Sequence, residues 1–133
     1  MHTQIQAVNA SAAFNRWAGF EVLHADAGTA ELRMVWRAED MGQYAGFLHA
    51  GLIAAMLDTV CGFAAATVSG RVLASHFSVN CLAPAVGHTF VAKGQVVKAG
   101  RKQVFTTGEL YAHADGAAPK LVATGNTILV PVQ

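Results

Sequence analysis

The stretch AGFLHAGLIAAMLDTVCGFAAAT, residues 45–67, is apolar nearly all the way round when wound into a helix. A helix of that kind must be buried on most of its sides. In a chain of 133 residues the arrangement that achieves this wraps a sheet around it. The expected fold class is therefore α+β: a curved antiparallel sheet enclosing a long central helix. One residue is out of keeping with its surroundings. Asp58 is the only acidic side chain between Gly46 and Ala66, set among Ile53, Met56, Leu57, Val60 and Phe63.

The flanking sequence supplies the sheet. Ala30, Leu32, Met34 and Trp36 alternate with Glu31, Arg33 and Arg37, the period of a half-buried strand. Residues 20–24 are its expected hairpin partner, turning at Asp26-Ala27-Gly28. Four more strands are predicted at about residues 73–81, 89–98, 103–112 and 120–130, separated by turn-forming segments. Before them, Ile5, Val8, Ala12 and Ala13 recur at helical spacing, which predicts one amphipathic helix from residue 5 to 17 stopping at Gly19. No linker or internal repeat divides the chain, so residues 1–133 are expected to form a single domain.

Composition narrows the class. The chain is 53% hydrophobic and only 13% charged, enough to bury a sizeable core and to leave apolar surface for a subunit interface, so a homo-oligomer is expected. A formal charge of +1, without a basic block or acidic tail, favours neither nucleic acid nor an anionic membrane. Cys61 and Cys81 fit no zinc-ligand spacing, and a buried free thiol is expected in place of a disulfide. The first 17 residues lack a signal-peptide pattern, and a cytoplasmic location is expected. No His pair has metal-ligand spacing, Ser69, Ser75 and Ser78 lie outside any GxSxG elbow, and no Walker loop is present.

Reading back from the acid, Gln43, Gly46, His49, Ala50, Gly51 and Asp58 form a pattern within GQYAGFLHAGLIAAMLD. Here the chain resembles the hot-dog acyl-CoA thioesterases, in particular the branch containing phenylacetyl-CoA and 4-hydroxybenzoyl-CoA thioesterases. That pattern is Asn or Gln, two residues, Gly, two residues, His-Gly-Gly, then an acid nine residues after the His. The match holds at Gln43, Gly46, His49, Gly51 and Asp58 and departs at Ala50. The strand order agrees over nearly the whole chain. The resemblance implies acyl-CoA or aryl-CoA as substrate, a homodimer or homotetramer with composite sites across the dimer interface, and no cofactor beyond the CoA of the substrate. It also implies that Gln43 orients the water or the acid. The basic turn at Arg101 and Lys102 matches a region where the family often meets CoA phosphates; the alternative is an ordinary solvated hairpin.

The same residues can be read physically. The unpaired N–H groups of the first helical turn, at Ala50 and Gly51, point positive charge at whatever lies beyond and would stabilise a thioester oxyanion. Ala at position 50 keeps that backbone donor. Asp58 lies seven residues beyond Gly51, about 10 Å along the helix, too far to serve a carbonyl at its own helix start. Two central helices packed antiparallel would bring each acid to the other's amino terminus. Asp58, with a pKa raised by its apolar surroundings, is then a general base or a nucleophile. His49 is expected to fix the loop by hydrogen bonding. Met34, Trp36, Phe47, Leu48 and Phe77 are either core or acyl-pocket residues. A lone Asp in a buried helix is otherwise more often structural, and a non-catalytic acyl-CoA sensor or carrier is the competing function.

Overall fold

A computed structural model describes residues 1–132. Two short helices, α1 (His2–Ser11) and α2 (Ala13–Ala18), precede a hairpin of β1 (Glu21–Asp26) and β2 (Thr29–Val35). A single turn, α3 (Ala38–Met41), leads to the long helix α4 (Ala50–Ser69). Strands β3 (Val72–Cys81), β4 (Thr89–Ala99), β5 (Val104–His113) and β6 (Lys120–Pro131) complete the chain. The six strands form one sheet in the order β1-β2-β4-β5-β6-β3, every neighbouring pair antiparallel. Its inner face wraps α4, which is the hot-dog fold.

The helix is seated by a row of small residues. Ala30, Gly94, Gly108, Gly125 and Val79 lie directly opposite one another across β2, β4, β5, β6 and β3. A Cβ on Gly94 would come within 2.9 Å of the Val60 carbonyl oxygen, and one on Gly108 within 3.1 Å of Cys61 Sγ and 3.2 Å of Leu57. The middle of α4 therefore rests almost on the sheet backbone. Either side of this contact Met56, Leu57 and Val60 are fully buried with Leu32, Met34, Phe90, Leu110 and Val122. Each such side chain contributes about 1.5–3 kcal/mol relative to exposure. By length and composition α4 is apolar enough to cross a bilayer, but here those residues fill the core of the sheet.

The helix is also tied at both ends. At its start, Leu48 N–H donates to the Ala85 carbonyl and His49 N–H to that of Met41. At its end, Thr67 Oγ1 accepts the N–H of Gly28 at 2.8 Å. That donor sits in the β1–β2 turn, where Ala27 and Gly28 both have positive φ (50° and 82°), as a two-residue hairpin with the twist of its strands requires.

The main departure from the expected elements is at the amino terminus. The predicted helix over residues 5–17 breaks at Ala12, which is extended (φ −91°, ψ 123°), and continues as α2 until Gly19. The break lets Asn15 donate to Asn9 Oδ1 while Asn9 donates to the Phe20 carbonyl. Only Ile5 of the expected apolar face is buried; Val8 is exposed. The α3 turn was absent from the expected order, being too short for any periodicity to signal. Strand positions agree to within two residues at most ends; β1 begins one residue later and ends two later than expected. Both cysteines are free, Cys61 buried as expected and Cys81 exposed.

The glycine row generates a prediction. Gly94→Ala should destabilise the protein by about 1–3 kcal/mol, because the added methyl meets helix backbone that cannot rotate away. A denaturant titration read by circular dichroism checks this; an unchanged midpoint would mean that the helix does not rest where the glycine row places it.

Candidate active site at the start of the central helix

The loop before α4 is built to hold the helix start still. Gln43 Oε1 accepts the backbone N–H groups of Ala45 and Phe47, Gln43 N–H donates to the Phe47 carbonyl at 2.8 Å, and Gly42 bridges to Leu48. The Gln43 carboxamide oxygen is thus used within the loop. Its Nε2 has no partner among the described residues and is free to donate outward.

His49 is the N-cap of α4. Its Nδ1 accepts the N–H of Gly51 at 2.8 Å, which leaves the ring proton on Nε2. A Cβ on Gly51 would lie 2.9 Å from that same Nδ1, so glycine at position 51 is what lets the imidazole fold back over the turn. The two expected donors of the first turn therefore differ. The Gly51 amide is already bonded, whereas the Ala50 amide, at the first helical position, has no partner among the described residues and is exposed. The helix dipole adds positive potential at this one bare N–H.

Asp58 lies eight residues beyond Ala50, about 12 Å along the helix. It is half-buried on the side of α4 turned away from the sheet, the side that also carries Gly51, Ala54, Ala55 and Gly62. Its Oδ1 is shielded from solvent and accepts no hydrogen bond from any described residue. Burial pushes its pKa above the ordinary 3.8. One turn further on, the buried Cys61 thiol is also pushed up, chiefly by burial, although the Thr106 and Thr127 hydroxyls that bond it act the other way.

A cleft of about 460 Å³ opens beside the helix start, walled by Gln43, Phe47, His49, Ala50 and Ile53 and by the segment from Cys81 to Ala85 that follows β3. Gln43, His49, Ala50 and Gly51 thus come together at one end of α4. Asp58 does not join them within one chain. Arg101 and Lys102 are exposed in the β4–β5 turn, about 33 Å along β4 from the end of that strand nearest the helix start. Of the residues expected to be either core or acyl pocket, Met34 and Leu48 are core, Trp36 and Phe47 are partly buried, and Phe77 is 49% exposed on the edge strand. Sequence reasoning did not single out Ile53 or the 81–85 segment, whose place in the cleft depends on how β3 returns past the helix start. Among the described residues no three His, Cys, Asp or Glu side chains gather as a metal set.

The fold is thus the hot-dog fold, with an unpartnered amide at the start of its central helix and a half-buried, unpartnered carboxylate about two turns further on. The profile of the thioesterase superfamily matches residues 45–118, more than half of the chain, and the chain belongs to that family. Its structure is similar to that of a thioesterase family protein from Silicibacter pomeroyi, at 32% identity and a TM-score of 0.92, covering 98% of this chain and 97% of that one. Zebrafish thioesterase superfamily member 2 is similar at 26% identity and a TM-score of 0.80, over 97% and 94% of the two chains. The Escherichia coli PaaI protein of the phenylacetic acid degradation operon, at 20% identity and a TM-score of 0.82 over 100% and 97%, shares the fold. No curated protein sequence matches the chain.

The raised pKa of Asp58 fixes the sign of a stability effect. Between pH 3.8 and the higher folded-state value the native protein binds more protons than the unfolded chain, so stability falls as pH rises through that window. Asp58→Asn removes this penalty. The variant should melt above the wild type at pH 8, and the gap should close as the pH is lowered towards 4; a lower melting temperature at pH 8 would show that the carboxylate is satisfied in the folded protein. His49→Ala should cost about 0.5–2 kcal/mol through loss of the cap, with His49→Asn recovering most of it in the same melts.

Proposed function

We propose that the protein hydrolyses an acyl-CoA or aryl-CoA to the free acid and CoA, at two equivalent sites formed between two copies of the chain. The observation that carries this reading is the pairing, on one rigid helix, of the bare Ala50 amide and the unpartnered Asp58 carboxylate. Neither has a partner among the described residues. An antiparallel second copy laid against the open side of α4 would bring the Asp58 of each helix towards the Ala50 of the other. The free edge strand β3 supports such a contact, with Leu73 65% and Phe77 49% exposed in the single chain.

In this arrangement the thioester oxygen accepts the Ala50 N–H, and the dipole of α4 stabilises the charge that develops on it. Asp58 of the other copy, acting in its ionised form, takes a proton from water as the water oxygen bonds to the carbonyl carbon. Collapse of the tetrahedral intermediate breaks the C–S bond, and the departing CoA thiolate receives that proton. Direct attack by the carboxylate would instead give a mixed anhydride that water then opens. Gln43 Nε2, without a partner among the described residues, then positions the water or the acid. The same antiparallel geometry carries Arg101 and Lys102 of one copy towards the helix start of the other, where CoA phosphates would be met. No metal or redox group enters the reaction.

Because His49 is extended at ψ 135° and proline is tolerated at the first helical position, Ala50→Pro deletes a single N–H with little effect on the fold. It should lower kcat by about 10²–10³-fold with a melting temperature near that of the wild type. Asp58→Asn should lower thiol release by about 10²–10⁴-fold, and the acid limb of the wild-type pH profile should lie above the ordinary carboxylate range. Mixing the two inactive variants should restore about half of the wild-type rate per heterodimer, since one of its two sites then has both groups intact. Restoration to nothing would place the whole site within one chain. A rise in melting temperature with acyl-CoA but no thiol release from the wild type would favour a sensor or carrier.

A further inference from the structure

A second cleft, of about 320 Å³, lies on the other flank of the α4 start and shares His49 with the first. Its walls are Phe14 and Trp17 from α2, Asp40 and Met41 from α3, Gly42, and Gly51 and Leu52 from the first turn of α4. Phe14 and Trp17 are 47% and 46% exposed, although neighbouring Ala18 and Phe20 are buried, so this aromatic pair is surplus to the core. It is nevertheless held firmly. The two rings lie 5.8 Å apart, Phe14 meets buried Phe20 edge-on at 6.0 Å, and the Arg37 guanidinium lies 5.3 Å from the Trp17 ring. Arg37 also donates to the Trp17 and Ala18 carbonyls and pairs with Asp40 at 3.0 Å. A rigid, half-exposed aromatic surface beside the first turn of α4 is a preorganised apolar subsite, with little ordering left to do on binding.

We propose that this cleft takes the acyl group of the substrate, and that Phe14 and Trp17 are specificity-determining residues supplied from outside the segment that matches the family profile; the proposal rests on the thioesterase reading above. A thioester has two arms leaving its carbonyl carbon, and two clefts meet at His49 beside the Ala50 amide. The larger cleft, beside the polar Gln43 side chain, suits the amide-bearing pantetheine arm. The smaller one, whose walls are aromatic and aliphatic apart from His49 and an Asp40 already paired with Arg37, suits the acyl arm. A cavity of about 150 Å³ holds a benzene ring, so this cleft has room for one ring on a short tether, against which the Phe14 and Trp17 rings can pack.

The test is thiol release from acetyl-, benzoyl-, phenylacetyl- and palmitoyl-CoA by the wild type, Trp17→Ala, and Trp17→Leu, which keeps apolar bulk should the alanine variant fold poorly. The wild type should prefer the two ring-bearing substrates. Loss of the ring should lower kcat/KM for them by about 10–100-fold and leave acetyl-CoA within about twofold. Equal loss on all four substrates in both variants, or no loss on any, would overturn the assignment. If the wild type releases no thiol from any substrate, the thioesterase reading has failed on its own. The cleft is then tested by thermal shift with benzoyl-CoA against CoA. A larger shift with benzoyl-CoA that Trp17→Leu abolishes upholds the subsite; equal shifts from the two compounds overturn it.

Discussion

Everything in this molecule depends on how closely one helix lies on one sheet. Gly94, Gly108 and Gly125 remove three side chains in a line, and the backbone of α4 at Val60 and Cys61 sinks into the space. A helix held at that distance leaves the sheet no room for large inward residues at its centre, and the bulk moves to Leu32, Met34, Phe90 and Leu110 on either side. The same seating decides which side of the helix stays open. Leu57 and Val60 turn to the sheet, and Asp58 is carried to the other side at the level of the glycine row. The position of the carboxylate is thus a by-product of core packing.

The helix start is fixed by a separate set of bonds. Gln43 closes the loop with its side-chain oxygen, the Met41 and Ala85 carbonyls hold the last two residues before the helix, and His49 takes up the second amide of the first turn. Three polar groups of the motif are consumed in presenting one that is not. This separates the residues of the motif by role: His49, Gly51 and the oxygen of Gln43 shape the site, while the Ala50 N–H, the Gln43 Nε2 and the Asp58 carboxylate are free to act in it.

Much of this was legible in the sequence, for identifiable reasons. The all-round apolar character of residues 45–67 announces a buried helix, and the strict alternation from Ala30 to Trp36 announces a half-buried strand, so the sheet-around-helix architecture follows. The oddity of Asp58 was visible because one charge among so many apolar residues violates the local pattern. The two donors of the first turn were not separable by sequence, because the bond from Gly51 to His49 depends on the rotamer of an imidazole. Nor was the break at Ala12, where a good helix former is extended for the sake of two asparagines on either side of it. The exposed Phe14 and Trp17 look like core residues in a linear reading. Only the packing of α2, which buries Ala18 and Phe20 instead, shows that they are left over.

The difference between two adjacent amides has a spectroscopic consequence. At the first turn of α4 the Gly51 hydrogen is held by an imidazole nitrogen and the Ala50 hydrogen by nothing among the described residues. In a hydrogen-exchange experiment the two should behave as strangers, one protected by the cap and the other exchanging at close to the rate of an open loop. The Ala50 signal is then a reporter already present in the protein. Anything that settles an oxygen against the helix start slows that one proton, whatever the chemistry that follows.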